Sequence, residues 1–136
     1  MLIDIYGKIG QNFEDLVLPT IYLDSKFNYK IGLTHLTFEL EDKLNIRDGE
    51  LMILKTNMVD LSMCNPDQAL VHVNYYTRRI IQHFRPPIVL YQWMSNLNIN
   101  GASFELRSQA TNKALICTNI FLQLEIKRID DYGRVQ

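Results

Sequence analysis

The sequence predicts an all-β domain, a single jelly-roll sandwich of about eight antiparallel strands, and three observations carry that prediction. Near the C-terminus Leu122, Leu124 and Ile126 alternate with Gln123, Glu125 and Lys127. A strand with period-two alternation buries one face and wets the other. The pairs Asp48-Gly49 and Asn100-Gly101 each stand just ahead of another apolar run, and such pairs turn the chain cheaply because glycine accepts positive φ. Between turn residues of this kind the chain divides into short extended stretches, with no long segment of helical periodicity.

Taken in order, the candidate strands are residues 2–8, 16–23, 29–40, 50–57, 70–76, 88–94, 103–107 and 115–128. Residues 29–40 read as a long strand apolar on both sides. Asp48-Gly49 turns the chain into 50–57, where Leu51 and Ile53 are the expected inward residues. Asn100-Gly101 predicts a type I′ turn, and Phe104 and Leu106 then alternate with Ser103, Glu105 and Arg107. Pro86-Pro87 removes two backbone donors and stops residues 78–85 from continuing into 88–94, which predicts a corner between sheets. One helical turn at most is expected, at residues 65–69, with Asn65 as cap and Pro66 in the first helical position. Ile31, Leu33, Phe38, Leu51, Ile53, Phe104, Leu106, Leu122, Leu124 and Ile126 are the expected core.

A chain of 136 residues suits one domain, and 47% apolar residues are enough to fill a core. No repeat, low-complexity tract or Gly/Ser/Pro-rich linker divides it. Fourteen basic and fifteen acidic side chains give a formal net charge of -1, so the chain as a whole has no electrostatic reason to coat nucleic acid or an acidic membrane. No apolar run approaches the 18 or so residues needed to span a bilayer. The first ten residues contain acids and no cleavage-site pattern, and the expectation is a soluble protein made inside the cell. Cys64 and Cys117 stand among apolar neighbours and are too few for a disulfide framework, so both are expected as buried thiols.

Residues with catalytic or metal-binding chemistry are sparse. His35, His72 and His83 are isolated along the sequence and lack the short paired spacing of zinc or iron sites; His35 and His72 are the pair that could meet across strands. Cys64 has no histidine near it, no Gly-x-Ser-x-Gly elbow occurs, and the glycines form no phosphate loop. The sequence therefore assigns no catalytic residue, no metal ligand and no cofactor. Glu39, Glu41 and Asp42 read as solvated strand-end acids. Arg78, Arg79 and Arg85, with Tyr75, Tyr76 and His83, are the one local candidate for a polyanion contact; at near-neutral net charge, pairing with acids of a neighbouring subunit is favoured over nucleic acid. Tyr91 and Trp93 sit at one-face spacing, either as core or as aromatic anchors of an interface.

Residues 19–40 add a resemblance. Pro19-Thr20-Ile21-Tyr22-Leu23-Asp24 leads into Tyr29-Lys30-Ile31-Gly32-Leu33 and a first core strand, and this resembles the opening of the jelly-roll proteins of adintoviruses and Polinton/Maverick elements. The similarity continues loosely through residues 53–60, Asn65-Pro66, the Pro-Pro step before Ile88-Val89-Leu90-Tyr91, and residues 99–106 leading to 122–128. None of these motifs is catalytic. The chain departs from the pattern after the first core strand, where Glu39-Leu40-Glu41-Asp42-Lys43 replaces a polar Asn-Pro loop. What the resemblance implies is a minor capsid protein of the vertex, or penton, type, or a domesticated relative. Such a protein acts by self-assembly in a virion or virus-like particle, as a homo-oligomer expected to be a pentamer, beside a double jelly-roll major capsid protein. The alternatives are a TNF-like or lectin-like binding module and, behind it, a cupin-like metal enzyme.

Overall fold

The structure is a computed structural model that describes residues 1–43 and 45–136. Among them nine strands form: β1 (Leu2–Ile9), β2 (Glu14–Val17), β3 (Asn28–Leu40), β4 (Leu51–Thr56), β5 (Ala69–Asn74), β6 (Gln82–Phe84), β7 (Gln92–Trp93), β8 (Phe104–Ser108) and β9 (Cys117–Ile129). The larger sheet has the order β2-β1-β9-β3-β6, with β7 also on β3, and the smaller has the order β5-β4-β8. Every pairing is antiparallel. The chain is thus the all-β sandwich that the alternation predicts.

Strand β9 lies between β1 and β3, and this placement explains its sequence. Its two edges are both hydrogen-bonded, one face is wet, and Leu122, Leu124 and Ile126 all point into the core. On β3 the register runs Leu33↔Leu124 and then His35↔Gln123, so Thr34 is an extra residue. Its hydroxyl Oγ1 donates to the Gln123 backbone oxygen at 3.0 Å or to the Gln123 side-chain Oε1 at 2.9 Å. Beyond this bulge the inward positions change from Tyr29, Ile31 and Leu33 to Leu36, Phe38 and Leu40. A strand that reads as apolar on both sides therefore buries one side throughout. A second bulge, at Thr118 of β9, lets Cys117 and Ile120 both face inward.

Across the core the smaller sheet contributes Met52, Leu54, Leu70, Val73, Phe104 and Leu106. Here the expected parity of β4 is corrected by one residue. Leu51 is half-buried, and Ile53, though buried, lies outside the core, beside His72 and Arg107 on the outer face. The run Leu51-Met52-Ile53-Leu54 is apolar at four consecutive positions, so alternation could not choose a face.

Three further expectations are corrected. Residues 18–23 leave the sheet after β2 and run against residues 97–99, through Leu23 N–H to Leu97 O at 3.4 Å and Ile99 N–H to Ile21 O at 3.4 Å. Pro86-Pro87 is no corner between sheets, because β6 and β7 both pair with β3. Eight steps of chain from Phe84 to Gln92 run beside five steps of β3 from Leu36 to Ile31, so three residues are surplus and the segment lifts off the edge. It presses back at Gly32, where a Cβ would stand 2.6 Å from Val89 Cγ1 and 2.9 Å from Leu90 O. Asn100-Gly101 belongs to a 3-10 turn, Ile99–Gly101, with Ile99 buried, and Gly101 is not at positive φ. Asp48-Gly49 behaves as expected, with Gly49 at φ +80° and Glu50 N–H donating to Arg47 O at 3.1 Å.

No helix forms at residues 65–69. Instead Asn65 Nδ2 donates to Ala69 O at 2.9 Å and Asn65 Oδ1 accepts from Ala69 N–H at 2.9 Å. The connections sort to two ends of the sandwich. The loops after β3, β5 and β8 meet at one, through Glu41 N–H to Ile116 O and Gly49 N–H to Tyr75 O; those after β2, β4 and β7 meet at the other, through Leu23 to Leu97 and Ser95 N–H to Met58 O.

Candidate functional site

Arg78 and Arg79 are exposed on the loop between β5 and β6, and one buried amide shapes that loop. Gln82 Nε2 donates to Tyr76 O at 2.9 Å and Arg79 O at 2.8 Å, while Gln82 Oε1 accepts from Tyr76 N–H at 2.9 Å. The Arg79 guanidinium lies 5.4 Å from the centre of the Tyr76 ring. Arg85 follows β6 and is also exposed. On β3, Glu39 is paired with Lys43 at 3.3 Å, and Glu41 and Asp42 follow it into solvent. Because Gln82 stands beside Phe38, these acids and the arginine loop are at the same end of β3. Glu39 and Ile81 even line one groove.

The acids on the far edge of the larger sheet are Glu14 and Asp15 of β2, both exposed. Glu14 Oε1 accepts from Ser103 Oγ at 2.7 Å and from Phe104 N–H at 3.2 Å. Sequence reasoning passed over this pair because nothing local marks β2 as an edge strand; only the sheet order does. Phe13, Val17 and Tyr22 expose apolar surface on the same side. Across β1, β9 and β3, the opposite side exposes Ile88 and Leu90, each 74% accessible.

Beside Ile88 a cleft of about 840 Å³ opens between β5 and the 84–92 excursion. Leu33, Leu70, Val71, Phe84, Pro86 and Ile88 are among its apolar lining. Cys64 and His72 also line it. Cys64 is exposed, which corrects the expectation of two buried thiols; Cys117 is buried, and burial pushes its pKa up to about 12.

Tyr91 and Trp93 belong to the outer face of the larger sheet and not to the core. Lys127 Nζ stands 4.1 Å from the Tyr91 ring centre and Lys30 Nζ 4.6 Å from that of Trp93. Lys30 and Lys127 are direct cross-strand partners, so like charges face each other. The two rings and Glu125, 3.5 Å from Lys127, offset that repulsion.

His35 meets His83, not His72. Nε2 of His35 and Nδ1 of His83 share a hydrogen bond at 3.2 Å, the rings stack with centroids 5.1 Å apart, and Phe121 meets His35 edge-on at 5.6 Å. Burial first, then the charges of Arg85 and His83, hold the His35 pKa below its usual value. Among the described residues no group of three or more His, Cys, Asp or Glu side chains is placed to hold a metal ion, and no helix is long and apolar enough to cross a membrane. No family model, curated protein or solved structure matches the chain.

Proposed function

We propose that the chain is a jelly-roll capsid subunit of the vertex type, adintovirus- or Polinton-like, that closes with copies of itself into a ring, most simply a pentamer, in a virion or virus-like particle. The strand order supports the jelly roll. The first long strand, β1, pairs with the last, β9, and β1-β9-β3-β6 faces β8-β4-β5 with successive loops alternating between the two ends. One departure is β2, which stays on the edge of β1 where a jelly roll would send a strand across to β8.

The observation that carries self-assembly is the complementarity of the two edges. One edge presents Arg78, Arg79 and Arg85 above Ile88 and Leu90; the other presents Glu14 and Asp15 beside Phe13 and Val17. A contact between opposite flanks of successive subunits is heterologous, and it closes into a ring when the rotation per subunit allows. Glu14 and Asp15 replace Glu39, Glu41 and Asp42 as the acids of this contact. A double jelly-roll major capsid protein is the expected outer partner. At a net charge of -1, nucleic acid is not the favoured counterpart of the arginines.

Light scattering after size exclusion, followed by electron microscopy of the assembled fraction, tests this reading. The ring is expected to weaken in R78E/R79E, to recover when E14K/D15K is added in the same chain, and to loosen with salt. A wild type that stays monomeric at its highest soluble concentration, in low and high salt, overturns it. The apolar cleft favours a second reading, a TNF-like or lectin-like binding module with an apolar ligand in the cleft, and such a monomer would move that reading ahead.

A further inference from the structure

We propose that His35 and His83 form an exchangeable binding site for a borderline divalent transition-metal cation, Zn²⁺, Ni²⁺ or Cu²⁺, on the outer face of the larger sheet. This inference is independent of the assembly reading. Imidazole nitrogen bonds these ions at about 2.0–2.1 Å, so two adjacent corners of a tetrahedral site lie about 3.3 Å apart. The facing nitrogens of His35 and His83 already stand 3.2 Å apart, a separation at which one cation can replace the shared hydrogen bond. Thr37 Oγ1, 3.3 Å from His35 Nε2, puts an oxygen at the same place, and water fills the remaining corners.

Two features prepare the pair. His83 is opposite Thr37 in the β3–β6 ladder, so the two rings come from neighbouring strands whose backbones are held, and Phe121 braces the His35 ring. Two nitrogens with no carboxylate suit the borderline cations and not Mg²⁺ or Ca²⁺, which take oxygen ligands. Arg85, whose charge is felt at His35, opposes a cation and makes the site weaker than a buried structural one.

Equilibrium dialysis of the untagged protein against Zn²⁺, with retention on immobilised Ni²⁺, reads the site directly. One ion per chain is expected. His35→Ala and His83→Gln should each weaken binding by about tenfold or more, the least that a lost ligand costs when even an outer-shell partner is worth about that much. His72→Ala, on the other sheet, should leave it unchanged, and Arg85→Gln should tighten it several-fold. Should His35→Ala disturb the fold, substoichiometric Cu²⁺ added to the wild type gives an independent readout, because it should broaden the ring resonances of His35 and His83 before those of His72. Binding that survives loss of both His35 and His83, Cu²⁺ broadening that begins at His72, or no binding in the wild type overturns the proposal.

Discussion

Strand β3 is bordered on one side by β9 and on the other by the 82–93 segment, and the two borders use the same residue types in opposite ways. On β9, Leu122 and Leu124 are fully inaccessible and Ile126 nearly so; on the other border, Ile88 and Leu90 are each 74% exposed. The difference is backbone pairing. The β9 ladder runs from Asn28↔Ile129 to Leu40↔Cys117, so each successive side chain is committed to one face. The other border is paired for three residues, released at Pro86-Pro87, and paired again for two. A segment off the ladder has no partner strand to seat it over the core: Val89 and Tyr91 rest against Gly32, while Ile88 and Leu90 go outward, where they are surface for something else to cover.

The largest effect that would break this comparison is at the core. Leu124→Ala should cost about 2–5 kcal/mol in denaturant-induced unfolding, whereas Leu90→Ala should stay within about 0.5 kcal/mol, as at other exposed sites. Equal costs would erase the distinction between the two borders.

Next is the point where the loose border touches β3. Gly32→Ala places a methyl 2.6 Å from Val89 Cγ1 and 2.9 Å from Leu90 O, and should destabilise by about 1–3 kcal/mol as an overpacked site. Faster amide exchange in residues 88–92 than in β9 would show which side yields; equal acceleration on both sides would count against the difference.

The cysteines sharpen the comparison chemically, since Cys117 opens β9 and Cys64 lies on the cleft beside the loose border. Burial raises the Cys117 pKa from 9.0 to about 12. A raised pKa in the fold means that the unfolded chain loses this proton first, so its contribution to stability is complete below pH 9 and is lost as pH rises toward 12. The slope from this one group is about 1.4 kcal/mol per pH unit, and Cys117→Ala should remove it while Cys64→Ala should not. The smallest expected effect is at the half-buried surface pair Glu39–Lys43: Glu39→Gln should cost less than about 1 kcal/mol, a difference that high salt reduces in chemical denaturation.

What the sequence made legible follows the same division. β1, β8 and β9 are readable because each alternates against a core and β3 because it is a long apolar run, and eight of the ten expected core residues face the core, Ile53 being buried on the outer face and Leu51 half-buried. Residues 18–23 and 88–91 are as apolar as any strand, yet they contact the sheets from outside a ladder, so composition misleads there. The candidate site was less legible still. That Glu14 and Asp15 occupy the edge opposite Arg85, or that His35 meets a residue 48 positions away rather than His72, depends on which strands are neighbours, and residue spacing carries no information about that.

The extra residue at Thr34 sets the phase of everything that follows it in β3. Upstream, odd-numbered side chains fill the core; downstream, even-numbered ones do. Were Thr34 instead held in the ladder opposite Gln123, every later residue would shift by one place, turning Leu36, Phe38 and Leu40 toward water and Thr37 and Glu39 toward the core. The bulge and not the residue carries the phase: deleting Thr34 would close it and leave Leu36, Phe38 and Leu40 facing the core, so Thr34→Ser and the one-residue deletion should both keep the buried face.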